Sequence, residues 1–205
     1  MYIPAHFAAD SDTIQGLLGK PGAANLVTMT SHGLAATLLP FVYDPDAGDH
    51  GSLQGHLARN NTQWTETAVG EALAIIQGPD AYISPSWYAS KAEQGRVVPT
   101  WNYTTVHAYG RLVIHQDAAW LDQQVRRLTE VHETGLHHPW SVDDAPERFI
   151  SGQLRAIVGV ELIISRIEAK AKLSQNRPDA DVDGVIAGLS ATGHTAMAAD
   201  VKRGR

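Results

Sequence analysis

The chain has 205 residues, 43% of them hydrophobic, which is enough to bury a sizeable core within one domain or one domain with an appendage. Sixteen lysines and arginines stand against 22 aspartates and glutamates. The formal net charge of -6 opposes non-specific binding to nucleic acid unless the cations gather on one face. The chain contains no cysteine, which excludes disulfides, thiolate metal sites and cysteine nucleophiles.

The beginning of the chain lacks a basic segment followed by a long apolar run, and no stretch is apolar for long enough to cross a membrane. These features predict a soluble, cytoplasmic protein without membrane contacts. Because no repeat or linker interrupts the sequence, we expect a single domain over residues 1–196 and a polar, frayed tail over residues 197–205.

The first half of the chain predicts a short helix followed by strands at hairpin spacing. Capping residues from Asp10 onward precede a short apolar pattern, so we expect a helix that ends near Gly19. The pair His32-Gly33 marks a tight turn between two apolar runs. The predicted strands cover residues 24–30, 34–43, 52–58 and 71–77, and a short helix is expected over residues 63–68.

The second half contains the clearest helix signal, which begins after Asp117 as its N-cap. The apolar face of this helix consists of Leu121, Val125, Leu128 and Val131. Further helices are expected over residues 146–154, opened by a proline, and over residues 179–190. Between them, residues 157–169 are apolar on both faces and predict a long buried strand.

Residues 96–110 predict another strand, because β-branched and aromatic side chains dominate and no charge follows Pro99 until Arg111. Polar groups and flat rings occur on it at Trp101, Asn102, Tyr103, His107 and Tyr109. A wall that buries a planar amphipathic ligand would carry such residues. The alternative is a strand whose rings fill the core and whose Asn and His side chains are hydrogen-bonded internally.

A first polar cluster, Gly55-His-Leu-Ala-Arg-Asn-Asn-Thr, places a cation, an imidazole and two amides at the end of a predicted strand. Charged and main-chain donors at such a strand end suit a phosphate group. The alternative is a turn in which Asn60 or Asn61 caps a helix that begins near Thr62, while Arg59 is solvated.

A second polar cluster, Lys170-Ala-Lys-Leu-Ser-Gln-Asn-Arg, precedes the last predicted helix. A cationic turn before a helix N-terminus suits an anion. The alternative is a solvated surface turn with Asn176 near the helix cap.

Other motifs are weaker. His132-Glu133 and His137-His138 lack the spacing that places two metal ligands on one helical face, so no metal site is predicted. The glycine-rich loops that bind dinucleotides or nucleotide triphosphates are absent from the sequence. No helix-turn-helix pattern with a basic second helix is found either.

Seven blocks of residues, in order along the chain, closely resemble the PaiB family of FMN-binding negative transcriptional regulators. They are Met1-Tyr-Ile-Pro-Ala-His-Phe, Gly55-His-Leu-Ala-Arg-Asn-Asn, Tyr82-Ile-Ser-Pro-Ser-Trp-Tyr, Val98-Pro-Thr-Trp-Asn-Tyr, Val106-His-Ala-Tyr-Gly, Lys172-Leu-Ser-Gln-Asn-Arg and Asp183-Gly-Val-Ile-Ala-Gly-Leu. The resemblance covers nearly the whole chain.

The resemblance implies an α+β, mainly antiparallel β fold: a split β-barrel of the FMN-binding type with peripheral helices and a C-terminal helix. It further implies a homodimer with FMN at the subunit interface. Laid over these motifs, the chemistry of FMN predicts three groups of cofactor-binding residues. The groups are His56, Leu57, Ala58, Arg59, Asn60 and Asn61 for the phosphate; Thr100, Trp101, Asn102 and Tyr103 for the ring or ribityl chain; and Lys172, Ser174, Gln175 and Asn176 for further polar contacts, from the same or the partner subunit.

Two functions follow from the resemblance. The first is a flavin-dependent repressor or sensor, although the acidic charge does not support direct DNA binding. The second is a small FMN-dependent oxidoreductase of the NAD(P)H-linked flavin reductase type without DNA binding, since hydride transfer relies largely on the flavin itself. The catalytic residues of such an enzyme are not identified by the sequence.

Overall fold

The computed structural model describes residues 1–20, 22–66 and 69–205. The strands are β1 (Gly22–Thr30), β2 (Gly33–Asp44), β3 (Ser52–Ala58), β4 (Ala72–Ile83), β5 (Thr100–His115) and β6 (Ile157–Lys172). The helices are α1 (Ser11–Leu18), α2 (Ser90–Gln94), α3 (Ala118–Glu133), α4 (Glu147–Arg155), α5 (Asp179–Ala191) and α6 (Thr195–Arg203).

The six strands form a closed antiparallel barrel in the order β1-β2-β3-β6-β5-β4. The predicted fold class, an α+β split barrel, is confirmed. The chain divides into two compact units. Unit one comprises Met1–Leu17, Gln77–Val106 and Glu168–Arg205, and unit two comprises Leu18–Ile76 and His107–Ile167.

The hairpin of β1 and β2 in unit two begins the barrel. Its turn requires the left-handed backbone of Gly33, whose φ is 113°, a region that costs glycine little. The Thr30 hydroxyl donates to the Gly33 carbonyl at 3.0 Å and accepts from His32 N at 3.1 Å. This hairpin confirms the turn that the sequence predicted at His32-Gly33.

The core of unit two lies inside its strands and beneath α3. Leu26, Leu53 and Leu162 are buried almost completely, because alternate residues of each strand face inward. Helix α3 begins as predicted, with the Asp117 carboxylate accepting from Trp120 N at 2.9 Å. A Cβ on Gly159 would lie 2.2 Å from the Trp120 ring, so this glycine lets the helix approach β6.

The core of unit one joins α5 and α6 to the ends of strands. Helix α5 packs against the 3₁₀ turn Pro85–Trp87 through two glycines one helical turn apart. A Cβ on Gly184 would lie 1.8 Å from the Trp87 carbonyl oxygen, and one on Gly188 would lie 2.3 Å from the Trp87 ring. Only glycine therefore permits this approach.

The prediction of a frayed tail over residues 197–205 is wrong. Most of this segment forms α6, which packs on α5. Met197 and Val201 are each 1% exposed, and they lie four residues apart on one face of the helix. The segment looked polar because this buried stripe is only two or three side chains wide.

Several predicted boundaries also shift. The strand expected over residues 71–77 runs to Ile83 as β4, and β5 runs from Thr100 to His115. The helix expected over residues 63–68 is a 3₁₀ turn over Thr62–Trp64, and its last two predicted residues lie outside the described part of the chain. None of the helices in the described part of the chain has the length and apolar character needed to cross a membrane.

Candidate flavin-binding site

The turn between β6 and α5 in unit one is shaped by Gln175. The Gln175 Oε1 atom accepts from Leu173 N at 2.7 Å, and its Nε2 donates to the Ala171 carbonyl at 2.6 Å. Ser174, the residue between Leu173 and Gln175, has a φ of 68°, a left-handed conformation that residues other than glycine seldom adopt. The side chain of Gln175 therefore holds the backbone of the turn.

Asn102 on β5 ties this turn to the strand. Asn102 is fully buried, and its Nδ2 donates to Ser174 Oγ at 2.9 Å, while that hydroxyl lies 3.3 Å from Asn102 Oδ1. A buried amide without a partner would cost about 1–3 kcal/mol, so this pair stabilises the local arrangement. The structure thus brings the second and third predicted groups of site residues together.

Lys172 supplies the most unusual electrostatic environment of this turn. Its ammonium group donates to Thr100 Oγ1. Partial burial is the largest cause that lowers the pKa of Lys172 below the ordinary lysine value. The charge of Tyr103 acts to raise this pKa, and the like charges of Lys170 and Arg177 lower it further. An anion placed here would relieve both the repulsion and the poor solvation of the ammonium group.

Aromatic rings accompany these cations. Lys170 Nζ lies 5.4 Å from the centre of the Tyr103 ring, and the Arg177 guanidinium carbon lies 4.6 Å from that of Tyr88. Each cation is therefore held against a ring.

Two further rings, Trp101 and Tyr82, are each 48% exposed, with their centres 6.2 Å apart. The Trp101 indole donates to Asp80 Oδ1 at 2.9 Å, which fixes the orientation of this exposed ring. Asp80, Tyr82 and Lys170 were not among the predicted site residues. Tyr82 lies in one of the resemblance blocks, but its position beside Trp101 depends on strand pairing that the sequence does not reveal.

The chemistry of unit one fits FMN. The cofactor needs cations for its phosphate, polar groups for its ribityl chain and flat cover for its ring system. The cations of this unit are Lys172, Lys170 and Arg177, its polar group beside them is Thr100, and its exposed rings are Trp101 and Tyr82, so the residues present match these three needs in kind.

Arg59, from the first predicted group, lies in unit two and is already engaged within the protein. It donates to the carbonyls of Arg155 and Ile157 at 2.8 and 2.9 Å and to Gln116 Oε1 at 3.1 Å. These bonds use three of the five guanidinium N–H groups. The side chain therefore fastens the end of α4 to the start of β6, and two N–H groups remain for a further acceptor.

The other members of the first group have different surroundings. His56 Nδ1 pairs with Gln124 Oε1 of α3 at 2.9 Å. Leu57 is buried, whereas Ala58 and Asn60 are exposed. Asn61 Oδ1 accepts from Gln63 N at 2.9 Å, so Asn61 caps the 3₁₀ turn, as one of the two interpretations of this cluster predicted.

His107 and Tyr109, the remaining polar groups of β5, also lie in unit two. Their ring centres are 6.3 Å apart, and the Arg166 guanidinium carbon stacks 3.4 Å from the centre of the Tyr109 ring. Tyr109 is thus engaged by a cation from β6.

The comparison with known families gives a match over residues 1–166 to the family described as "Putative FMN-binding domain". The chain is 34% identical over 189 residues to the protease synthase and sporulation protein PAI 2 of Bacillus subtilis, covering 91% of this chain and 87% of that protein. The family match ends before the cationic turn of residues 170–177, which therefore lies outside the matched segment.

Solved structures share the fold at low sequence identity. A conserved hypothetical protein from Mycobacterium tuberculosis superposes with a TM-score of 0.60 at 13% identity, covering 87% of this chain and 94% of that chain. An FAD and heme binding protein from Mycobacterium smegmatis superposes with a TM-score of 0.52 at 14% identity, covering 85% and 77%. These similarities support the split-barrel fold. The family match and the identity to the Bacillus protein establish that the chain belongs to the PaiB family of FMN-binding proteins, with FMN as the cofactor of the family.

Proposed function

We propose that the protein is a flavin-dependent regulator of the PaiB type, a repressor or sensor in which bound FMN is the signal. The observation that carries the proposal is the environment of Lys172, a partly buried ammonium group whose pKa is lowered by burial and by two neighbouring cations. A site with unbalanced positive charge favours an anionic ligand. The FMN phosphate is a dianion that meets this requirement.

The residues of unit one take complementary roles in this proposal. Lys172 and Thr100 contact the phosphate or ribityl oxygens, while Trp101 and Tyr103, together with Tyr82 beside Trp101, cover the ring system. Asn102, Ser174 and Gln175 hold the turn in shape through the hydrogen bonds that join them to each other and to the backbone. Asn176 is exposed at the same turn and offers its amide to the cofactor.

In this proposal, residues 56–61 of unit two contact FMN within a homodimer. We place FMN at the interface between two subunits, where residues 56–61 and the cationic turn can both contribute. Arg59 provides its two remaining N–H groups to the phosphate, together with the main chain of Leu57 and Ala58 and with Asn60. His56 and Asn61 act mainly by holding this segment, since each is paired within the protein.

Regulation through direct DNA contact is the weaker form of this proposal. The net charge of -6 disfavours an extended surface that binds the phosphate backbone of DNA. A sensor that alters its binding to a protein partner when FMN binds or is reduced would need no basic surface for DNA. DNA binding is therefore measured only after the flavin has been characterised.

An FMN-dependent oxidoreductase is the second candidate. The observation that favours it is the exposure of Trp101 and Tyr82, since a flavin stacked beside rings at the surface stays accessible to an electron donor. The flavin itself supplies hydride transfer, and the protein needs to bind and orient it.

The experiment records the visible absorption spectrum of the purified protein after FMN addition and desalting, followed by anaerobic NADH or NADPH. We expect retained flavin in the wild type and in the control Lys202→Met, which changes an exposed lysine of α6, and at least tenfold weaker binding in Lys172→Met. Equal affinity in both variants would remove Lys172 from the site.

The donor step separates the two functions. Flavin that stays oxidised with both nucleotides supports the sensor, and DNA retention in moderate salt with competitor DNA then tests the repressor. Rapid bleaching by either nucleotide would replace the sensor with the oxidoreductase. Failure to bind FMN would contradict both functions.

A further inference from the structure

Unit two contains a cleft between the second half of α3 and the segment that follows this helix. Gly135 has a left-handed backbone with a φ of 91°, and beyond it the chain turns back along α3. The cleft has a volume of about 360 Å³. Its walls include Arg126, Glu130 and Glu133 from the helix and Pro139, Trp140 and Val142 from the returning segment. Sites for small ligands measure ~300–1,000 Å³, so the cleft has room for one.

Polar contacts fix both ends of this cleft. At one end, the Trp140 N–H donates to Glu133 Oε2 at 2.8 Å. At the other end, the Arg126 guanidinium pairs with Asp143 Oδ1 at 2.9 Å. Val142 is 4% exposed and anchors the returning segment between these two contacts. The cleft is therefore already formed in the protein without a ligand, as small-molecule sites usually are.

The cleft is acidic, because two of its carboxylates are not balanced by a cation. Arg126 pairs with Asp122 at 2.7 Å as well as with Asp143, so two carboxylates already share its charge. Within residues 1–20, 22–66 and 69–205, neither Glu130 nor Glu133 forms an ion pair with a cation. Four carboxylates thus accompany one guanidinium group. This charge favours a cationic ligand and opposes an anion such as FMN.

Trp140 gives the acidic cleft an aromatic wall. Its side chain is 45% exposed although its backbone is fastened to α3, so the ring remains available to a ligand. Ammonium groups are attracted to the face of an indole ring. In the described part of the chain, no three His, Asp or Glu side chains converge as metal ligands. An organic cation therefore suits the cleft better than a metal ion.

We propose that this cleft binds a small organic cation, an amine that is protonated at neutral pH. Its ammonium group faces Glu130 and Glu133, and its apolar body packs against Pro139, Trp140 and Val142. The inference goes beyond the proposed function, because none of the residues assigned to FMN lines the cleft. The protein thus carries a second ligand in addition to its flavin.

Titration calorimetry with phenethylamine tests the cleft, and hexylamine serves as a second amine of different shape. Phenethyl alcohol and hydrocinnamate have bodies similar to that of phenethylamine, but the first is uncharged and the second is an anion. We expect the wild type to bind both amines, and to bind the alcohol and the anion at least about tenfold more weakly, because they lose the charge-assisted contacts. Failure of both amines to bind, or equal affinity for phenethylamine and phenethyl alcohol, would overturn the inference.

A double variant, Glu130→Gln with Glu133→Gln, removes the acidic charge but keeps a carbonyl oxygen that accepts from the Trp140 N–H. We expect it to bind phenethylamine at least about tenfold more weakly than the wild type. The matched control, Glu93→Gln with Glu147→Gln, removes the same charge from two exposed glutamates outside the cleft and should retain wild-type affinity. Equal affinity in the two double variants would contradict the assignment of the ammonium group.

Indole fluorescence locates the ligand independently of the glutamates. An ammonium group held beside Trp140 should change the emission of the wild type. Trp140→Phe keeps an aromatic wall but removes one of the five tryptophans, so it should still bind phenethylamine in the calorimeter while losing most of the emission change. An emission change that persists in full in Trp140→Phe, or its absence from the wild type, would place the amine elsewhere and overturn the inference.

Competition with FMN separates the cleft from the proposed flavin site. We expect the affinity for phenethylamine to be the same with and without saturating FMN. Displacement of FMN by phenethylamine would place the amine in the flavin site and overturn the inference. Amine binding that responds to the Glu130 and Glu133 substitutions in a protein that takes up no FMN supports the cleft and contradicts the flavin function.

Discussion

Ser174 combines an unfavourable backbone with a buried hydrogen bond. Its φ of 68° costs a residue with a side chain of the order of 1 kcal/mol, and such conformations persist where the surroundings impose them. Here Gln175 fixes the turn, and Asn102 binds the Ser174 hydroxyl. The strain therefore belongs to the cationic turn that we propose as part of the flavin site.

Ser174→Ala should destabilise the protein by about 1–3 kcal/mol, because the fully buried Asn102 amide loses its partner while the strained backbone remains. Ser174→Gly loses the same hydrogen bond but relieves the strain, so its loss should be smaller. Urea unfolding measures both, with Asn176→Ala at the exposed neighbouring position as a control. A larger loss for glycine than for alanine would show that backbone strain is unimportant.

The lowered pKa of Lys172 makes both stability and FMN affinity depend on pH. The folded pKa of Lys172 lies below the ordinary value of 10.5, so between these two values the folded chain holds fewer protons than the unfolded chain and stability gains from rising pH. FMN binding follows the opposite trend, since the charged ammonium group binds the anion below its pKa and loses it above. A fluorescence titration should show affinity falling with alkaline pH in the wild type and a flatter profile in Lys172→Met. Parallel profiles would contradict the assignment.

Element by element, the sequence predicts what local patterns determine. Asp117 and the apolar face that follows it give α3, and β3 coincides with the predicted residues 52–58. Features that depend on distant partners are not predicted. Ser174 lies 72 residues from Asn102, so the pairing that organises the site depends on strand register, which the sequence alone does not supply.

Tertiary packing explains the two glycines of helix α5. The block Asp183-Gly-Val-Ile-Ala-Gly-Leu places two glycines inside a helix, where each glycine costs about 1 kcal/mol relative to alanine. The structure explains both, because Trp87 occupies the space that their side chains would need.

Gly188→Ala should therefore destabilise the protein by about 1–3 kcal/mol through overpacking against the Trp87 ring, despite the better helix propensity of alanine. Gly16→Ala in α1 is the matched control, because a Cβ there meets no atom within 4 Å and the change should stabilise by up to about 1 kcal/mol. Trp87 fluorescence should shift in the first variant. Stabilisation by Gly188→Ala would show that α5 does not rest on the ring as closely as described.

For the whole molecule, the split barrel is what the family resemblance implies, whereas neither the resemblance nor the pattern of the sequence predicts which apolar residues of β2 face outward. Leu34, Ala36 and Leu38 alternate with more buried residues of β2, yet the predicted strand over residues 34–43 is apolar on both faces except at Thr37, which conceals this alternation. Which apolar residues lie outside becomes visible only from the register that β2 adopts against β1.

Thermal unfolding with FMN and riboflavin connects the site to the stability of the whole chain. A ligand at about one hundred times its dissociation constant adds about 2.7 kcal/mol to the native state, which for a chain of this length corresponds to a rise in Tm of roughly 5–11 °C. Riboflavin lacks the phosphate and so forgoes a charge-assisted contact worth about 1.5–3 kcal/mol, and at equal concentration it should raise Tm far less. Lys172→Met should reduce the FMN shift toward the riboflavin shift, because it removes the cation that distinguishes the two ligands. Equal shifts for FMN and riboflavin in the wild type would mean that the protein recognises the ring system alone, and the cationic turn would then lose its proposed role.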